Sequence, residues 1–299
     1  MDPLTRREAL LLLAAAPLGC GARTTHASQN GVMHTRAIPS SGETLPIIGL
    51  GTWQTFDVAQ SKPLDSLLTT FVELGGRVVD SSPMYGRAET VLGDAAVASR
   101  TRDKLFVATK VWTSGRAAGI AQMESSEKKL RGRVDLMQVH NLVDADAHLE
   151  TLRAWKAAGR IRYIGITHYT ASAYDEVAKF LGRDGIDFVQ INYSLAEREA
   201  ERRILPLAKE RNIAVLINRP LGGGSLFRAT RNQPLPDFAK EIGCASWSEL
   251  FLKFVVSHPA VTCAIPATSN PDHLRENMRA GTGAMPDEPI RKRIAGAVR

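Results

Sequence analysis

The sequence predicts an α/β fold, a (β/α)8 TIM barrel preceded by an N-terminal β-hairpin. Three observations support this prediction. Short apolar runs of strand length alternate along the chain with segments of helical period, which is typical of βαβ units and a parallel sheet. Polar residues repeatedly stand directly after the apolar runs. The chain has 299 residues, which fits one such barrel.

The hairpin and the strands come first in this prediction. Residues 33–44 contain the turn-forming sequence Ser40-Ser41-Gly42, which favours a hairpin placed before the barrel. Eight apolar runs follow it, at residues 47–50, 77–79, 105–109, 136–139, 161–166, 188–189, 213–217 and 261–265.

Amphipathic segments separate these runs. Residues 64–74 carry apolar side chains at positions 64, 67, 68, 71, 72 and 74, which is a helical stripe. Further helices are expected at residues 89–98, 123–130, 147–158, 171–181, 197–209 and 247–256. Because no second domain is indicated, the closed barrel is favoured over an open sheet.

The composition is that of an ordinary globular protein, with 44% hydrophobic and 23% charged residues. The formal net charge is +7, and part of the excess lies at the two ends of the chain. No basic stripe with interleaved aromatic residues is present, so nucleic acid is not an expected partner. The charge is better explained by a solvated surface and an anion-binding pocket.

The chain has three cysteines, Cys20, Cys244 and Cys263. Their spacing forms neither a disulfide framework nor a metal site. Cys263 lies in an apolar run and is expected in the core, as is Cys244.

The N-terminus has the features of an export signal. Arg6 and Arg7 precede an apolar run over residues 9–18, which is too short to cross a membrane and resembles a Tat signal peptide. The segment ending at Cys20 resembles a lipoprotein cleavage site, and a lipidated Cys20 would tether the protein to a membrane. Cleavage after Ala22 or Ala27 by an ordinary signal peptidase is the alternative.

We therefore divide the chain into a signal peptide with a flexible spacer, residues 1–32, and a barrel domain, residues 33–299. The expected location is periplasmic or membrane-anchored. A frayed amphipathic helix on a cytoplasmic protein is the other interpretation of this segment.

Polar residues end six of the apolar runs, and a barrel brings the carboxyl ends of its strands to one face, where active sites are built. An acid, a lysine and a histidine on that face indicate a catalytic site. The six residues are Asp80, Lys110, His140, Thr167, Gln190 and Asn218.

The residue types suggest proton transfer. Tyr85 follows Asp80 closely, and a nearby cation such as Lys110 would lower the pKa of its phenol. Asp80 can hold Lys110 in place, and His140 can orient a substrate oxygen. Since the sequence shows neither a nucleophile elbow nor a metal-ligand cluster, hydride transfer from a bound cofactor fits these residues better than hydrolysis.

These motifs resemble the aldo-keto reductase superfamily over nearly all of residues 33–280. The resemblance rests on Asp80 and Tyr85 in the stretch Asp-Ser-Ser-Pro-Met-Tyr-Gly, Lys110 in ATKVW and His140 in LMQVH. It implies a barrel that binds NADPH without a Rossmann motif, with Tyr85 as the proton donor. It also implies that Trp53 and Trp112 line the substrate pocket.

The resemblance further assigns residues to the cofactor: Gly51, Thr52, Thr167, His168, Gln190, Asn218, Arg219, Pro220, Leu221, Gly223, Pro266, Ala267, Thr268, Ser269, His273, Glu276 and Asn277. Gln190 is the residue expected to bond the nicotinamide carboxamide.

Four of these positions depart from the family pattern. His168 replaces an asparagine, and Arg219 replaces a stacking aromatic residue, although a guanidinium can also stack. Ala267 and His273 stand where a lysine and an arginine usually hold the 2′-phosphate. NADPH is still the expected cofactor, with NADH as the alternative.

The ends of the fold suggest an open substrate site. Only residues 287–299 remain where longer members carry a lid, and the segment 113–118 is short. We expect varied aldehydes and ketones as substrates, and a monomer or weak oligomer. Three other functions remain open: an NADPH-binding redox sensor with little turnover, an NAD-dependent sugar or alcohol dehydrogenase, and an unrelated hydrolase or isomerase on the same fold.

Overall fold

The computed structural model describes residues 31–59 and 61–298. The export signal, Cys20 and the proposed cleavage sites lie outside these residues, so their assignment stays a prediction. Among the described helices, none is both long and apolar enough to cross a membrane.

The strands form a hairpin and one parallel sheet of eight strands. Their bounds are β1 Thr35–Ala37, β2 Thr44–Pro46, β3 Leu50–Gly51, β4 Val78–Asp80, β5 Phe106–Val111, β6 Leu136–His140, β7 Tyr163–Thr167, β8 Phe188–Asn192, β9 Ala214–Asn218 and β10 Cys263–Ala264. Strands β3 to β10 pair in chain order, and parallel bridges from Ile48 to Ala264 and from Gly51 to Ala267 close the sheet. The predicted barrel and hairpin are confirmed.

Helices surround the barrel. Their bounds are α1 Lys62–Glu73, α2 Ala88–Ala98, α3 Arg116–Lys129, α4 Ala145–Ala157, α5 Tyr174–Leu181, α6 Ile204–Glu210, α7 Ser225–Ala229, α8 Trp247–Val256, α9 Pro271–Arg279 and α10 Glu288–Ala297. Short 3-10 turns occur at Arg102–Lys104, Ala171–Ala173, Glu199–Arg202, Gly222–Gly224 and Asp237–Ile242.

Several segments differ from the prediction. Helix α3 begins at Arg116, inside the segment 113–118 that was expected to precede it, and α7 was not predicted. The helix expected over residues 197–209 is interrupted at Arg203 (φ −142°, ψ −50°), which leaves a 3-10 turn followed by α6. The C-terminal segment, treated as a short tail, contains α10, which packs against α8. The side chain of Asp287 caps α10 by accepting a hydrogen bond from the Ile290 N–H at 2.9 Å.

The hairpin closes the N-terminal end of the barrel. Its Ile38 and Leu45 are fully buried and belong to one apolar cluster with interior side chains of the strands. Polar contacts fix it there, because Ser41 Oγ lies 2.8 Å from Tyr163 Oη and Tyr163 also donates to Glu43 at 2.8 Å. The hairpin therefore covers this end of the barrel with buried apolar side chains.

Candidate active site

The alternating pleat of the strands decides which side chains enter the barrel. On β6, Leu136, Gln138 and His140 belong to the inward-facing set, and Gln138 pairs in register with Lys110 on β5. The apolar floor gives way to polar side chains within two residues along this strand. The predicted convergence of Asp80, Lys110 and His140 is present in the structure.

A buried ion pair stands at the centre of the site. Lys110 Nζ donates to Asp80 Oδ2 at 2.6 Å and to the Ser81 carbonyl oxygen at 2.7 Å. The Lys110 side chain is fully buried. Burial lowers the pKa of Lys110, but Asp80 and Tyr85 outweigh it, so the net pKa lies above the ordinary value. Lys110 is therefore a permanent cation at neutral pH.

Tyr85 lies in the loop between β4 and α2, over this cation. Lys110 Nζ is 4.9 Å from the centroid of the Tyr85 ring. Burial raises the pKa of the Tyr85 phenol, Lys110 opposes this and Asp80 adds to it, and the net shift is upward. The contribution predicted for Lys110 is thus present but smaller than the effect of burial. The phenol is protonated at neutral pH, which is the state that a proton donor requires.

His140 faces Tyr85 at the mouth of the barrel. The two ring centroids are 6.0 Å apart at nearly right angles, and Ser82 Oγ lies 3.1 Å from His140 Nδ1. Burial, followed by the charge of Lys110 and then by His168, lowers the pKa of His140 to about 3. A neutral imidazole therefore stands beside the phenol, and it can orient a carbonyl oxygen without protonating it.

Several predicted cofactor residues join this mouth. Thr52 Oγ1 donates to the Asp80 carbonyl at 3.1 Å and to Ser81 Oγ at 2.9 Å. Thr167 Oγ1 lies 3.4 Å from Gln190 Oε1. The ring of His168 stacks on Tyr169 with centroids 5.6 Å apart.

A glycine-rich segment after β9 borders the same opening. Gly222, Gly223 and Gly224 all have positive φ angles, between 58° and 86°, which a residue with a side chain rarely adopts. A Cβ atom at Gly223 would lie 3.1 Å from the guanidinium of Arg219. The glycine at position 223 therefore leaves room for the Arg219 guanidinium.

The segment after β10 carries the remaining predicted contacts. Pro266 and Thr268 are buried, whereas Ala267, Ser269 and His273 are exposed. Asn270 caps α9 through hydrogen bonds from the backbone N–H groups of residues 272 and 273. Glu276 is partly exposed, and Asn277 is buried and accepts from Ser248 Oγ at 3.1 Å.

Both predicted pocket tryptophans are exposed at the mouth. Trp53 is 48% and Trp112 is 41% exposed, and the Trp112 ring centroid lies 6.3 Å from that of His140. The loop carrying Trp112 is fixed by neighbouring helices, because His148 Nε2 lies 2.7 Å from the Thr113 carbonyl oxygen. These side chains form an apolar wall that remains accessible.

A dinucleotide fits the polar groups around the mouth. Asn218 Oδ1 and Arg219 Nε are buried atoms without a hydrogen-bond partner among the described residues. The nearest carboxylate to Arg219 Nε is Glu197 at 3.7 Å, which is longer than a hydrogen bond. Such atoms are suited to a polar ligand, since leaving them unpaired costs free energy. Asn218, Arg219 and the exposed residues before α9 would hold the cofactor.

Sequence reasoning missed three contributors to the site. Gln138 donates to Asp80 at 3.0 Å, Ser82 contacts His140, and Tyr169 stacks on His168. Gln138 could have been found, because it stands two residues before His140 and therefore on the same face of the strand. Ser82 and Tyr169 lie in loops, where sequence gives no comparable rule.

Two curated proteins are similar to this chain over most of its length. Methylglyoxal reductase YeaE of Escherichia coli (strain K12) is 29% identical over 257 residues, which cover 82% of this chain and 89% of that protein. An uncharacterized oxidoreductase YqkF of Bacillus subtilis (strain 168) is 28% identical over 287 residues, covering 83% and 91%.

Solved structures show the same fold. The crystal structure of an aldo-keto reductase from Klebsiella pneumoniae in complex with NADPH has a TM-score of 0.75 at 25% identity, covering 89% of this chain and 95% of that one. A second aldo/keto reductase structure from that organism, with NADP and acetate, gives 0.73 at 26% identity, covering 86% and 93%. The family model described as "Aldo/keto reductase family" matches residues 47–293. The chain therefore belongs to the aldo/keto reductase family, and it is an oxidoreductase of carbonyl compounds.

Proposed function

We propose that this protein reduces aldehydes and ketones to alcohols with NADPH, and that Tyr85 donates the proton. The observation that carries the proposal is the arrangement of Asp80, Lys110, Tyr85 and His140 at one opening. A bound dihydronicotinamide would supply the hydride to the carbonyl carbon.

The side chains account for the other half of the reaction. His140 is neutral and can donate a hydrogen bond to the carbonyl oxygen, which fixes the substrate beside Tyr85. As charge develops on that oxygen, the Tyr85 phenol transfers its proton to it. Lys110, held by Asp80 at 2.6 Å, stabilises the resulting phenolate. A proton from solvent then restores the phenol.

The cofactor is proposed to be NADPH, with NADH as an alternative. Two relatives of known structure are complexes with NADP or NADPH. In this chain, Ser269, His273 and Arg275 are exposed beside the start of α9, where they could meet a 2′-phosphate. Because only Arg275 among them is a permanent cation, we expect a weaker preference for the phosphorylated cofactor than a Lys–Arg pair would give.

The substrate is proposed to be an uncharged carbonyl compound. Trp53, Met84 and Trp112 are exposed apolar side chains at the mouth, and His140 is neutral. These groups favour flat or small uncharged molecules over sugar phosphates.

The test is nicotinamide absorbance against time, with 4-nitrobenzaldehyde or methylglyoxal and with NADPH or NADH. Tyr85→Phe should lower kcat by about 10²- to 10⁴-fold, the usual contribution of a general acid, while the Kd for NADPH changes little. Tyr163→Phe is the matched control, because it removes a hydroxyl from the barrel floor and should leave kcat unchanged. Wild-type protein that binds NADPH but oxidises none of it with either aldehyde would favour a redox sensor instead.

A further inference from the structure

Gln138 is a buried amide that takes no direct part in the proposed reaction. It is 0% exposed and stands in the barrel interior between the apolar floor and His140. In register it pairs with Lys110 on one side and Gly165 on the other. A primary amide that is removed from water must find partners within the protein, so its contacts indicate its role.

Those contacts join Gln138 to both Asp80 and Gln190. Gln138 Nε2 donates to Asp80 Oδ1 at 3.0 Å, and Gln190 Nε2 donates to the same oxygen at 2.8 Å. Gln190 Nε2 also donates to Gln138 Oε1 at 3.2 Å. The amide orientations follow from chemistry, because a carboxylate only accepts hydrogen bonds and turning either amide would place its oxygen against Asp80.

The orientation of the Gln190 side-chain amide is therefore fixed. Its two N–H groups are directed at Asp80 and Gln138. Its Oε1 atom accepts no bond from these two residues and lies 3.4 Å from Thr167 Oγ1. An amide oxygen has two lone pairs, so Oε1 can accept a further bond from a ligand at the mouth. In this orientation Gln190 offers an acceptor and no donor.

The barrel leaves room for Gln138 by placing a glycine next to it. A Cβ atom at Gly165 would lie 2.8 Å from Gln138 Cγ and 3.2 Å from Leu136 Cδ1. Because Cγ is close to the backbone, Gln138 could not avoid such a contact without a change of its side-chain rotamer or of the backbone, which would cost free energy. The Gln138 side chain thus packs directly against Gly165.

We propose that Gln138 is a positioning residue that locks the Gln190 amide with its oxygen toward the cofactor. This inference rests on the proposed function, which places the nicotinamide at the same mouth. The locked oxygen accepts from a ring carboxamide, which has an N–H to give, and repels a ring carboxylate, which has none. Gln138 thereby makes the site selective for the carboxamide.

Two dinucleotides that differ only in this group test the proposal. The Kd values of NADP+ and of nicotinic acid adenine dinucleotide phosphate would be measured by quenching of tryptophan fluorescence, which requires no turnover. The wild type should bind NADP+ at least about tenfold more tightly, the equivalent of one good hydrogen bond. In Gln138→Leu the Gln190 amide keeps its hydrogen bond to Asp80 but loses the acceptor for its second N–H, so the amide plane is held less firmly. The ratio should then fall about fivefold or more.

Two further variants separate positioning from damage. Gly165→Ala keeps the Gln138 amide but displaces it, so the ratio should fall in the same direction. Leu136→Met changes the layer below and should leave the ratio unchanged. Circular dichroism would show that each variant is folded.

The outcomes are distinct. An unchanged ratio in both Gln138→Leu and Gly165→Ala, with NADP+ still bound, would overturn the role of Gln138 and leave the proposed function intact. A wild type that binds neither dinucleotide would refute both. A fall in the ratio in both variants supports the assignment.

Discussion

The lower and upper halves of the barrel interior share the same strands but have opposite chemistry. In the lower half, Phe106, Tyr163 and Phe188 pack with ring centroids 5.5–6.1 Å apart. In the upper half, Asp80 and Lys110 form an ion pair supported by amides. Because successive inward positions are two residues apart, one strand can supply both halves. The packed lower half gives the polar upper half a rigid and dry base.

The largest effect is expected where the upper half loses its cation. Lys110→Met leaves the Asp80 carboxylate buried without its ion-pair partner, which should cost about 3–5 kcal/mol of unfolding free energy. Activity should also fall below the detection limit, because in the proposed reaction Lys110 stabilises the Tyr85 phenolate. Urea unfolding and NADPH oxidation measure the two effects.

A second buried lysine provides the control for this variant. Lys253 is 2% exposed and donates to the carbonyl oxygens of Thr282 and Ala284 at 2.7 and 2.6 Å, away from the mouth. Lys253→Met should also lower stability but keep the activity of each folded molecule. If both variants lost activity equally, the catalytic role of Lys110 would be contradicted.

A substitution in the lower half should lower stability without lowering kcat. Phe106→Ala removes a ring from the aromatic cluster and should lower the unfolding free energy by about 3–5 kcal/mol. The folded fraction should retain its kcat at a temperature well below the melting transition, because the polar groups stand on other positions. A kcat that fell in proportion to the lost stability would mean that the two halves are not separable.

A smaller effect is expected from pH. The pKa of His140 is about 3 in the folded protein and about 6.5 in an unfolded chain. Between these pH values the unfolded state binds more protons than the folded state. His140 therefore does not lower the unfolding free energy above about pH 6.5, and it lowers that free energy progressively as the pH falls toward 3. From pH 7 to 4.5, His140 should account for a loss of about 2.5 kcal/mol of unfolding free energy.

His140→Asn isolates this contribution. Its unfolding free energy should decline less steeply over the same pH range, as measured by urea titration at each pH. Equal slopes for wild type and variant would show that His140 is not held neutral by burial.

The sequence predicted that the candidate catalytic side chains would lie together, and it did so for a physical reason. Asp80, Lys110 and His140 each end an apolar run, and parallel strands in a barrel must present those ends together. Gln138 was not predicted as a site residue, because it is a single polar residue inside an apolar run and was treated as part of the strand core. Its meaning depends on Asp80, 58 positions away in the chain, and on the register of three strands.

Element ends were harder to predict than element types. The apolar period continues through residues 197–209, yet the backbone breaks at Arg203. Pro206 has no N–H and its ring clashes with the carbonyl group four residues earlier, so it fits in the first turn of a helix that starts anew at Ile204. The C-terminal helix α10 had a recognisable start in Asp287 and the proline two residues later. Its packing on α8 could only be seen in three dimensions.

The close fit of Gly165 against Gln138 also constrains how this protein can diverge. A side chain at position 165 would press on Cγ of Gln138 and would displace that glutamine from its present place. Position 165 can therefore change without disturbing this arrangement only after, or together with, a change at position 138. Among descendants of this sequence, Gly165 and Gln138 should be retained together. A change at either position should accompany a change in the ligand group that the Gln190 amide binds.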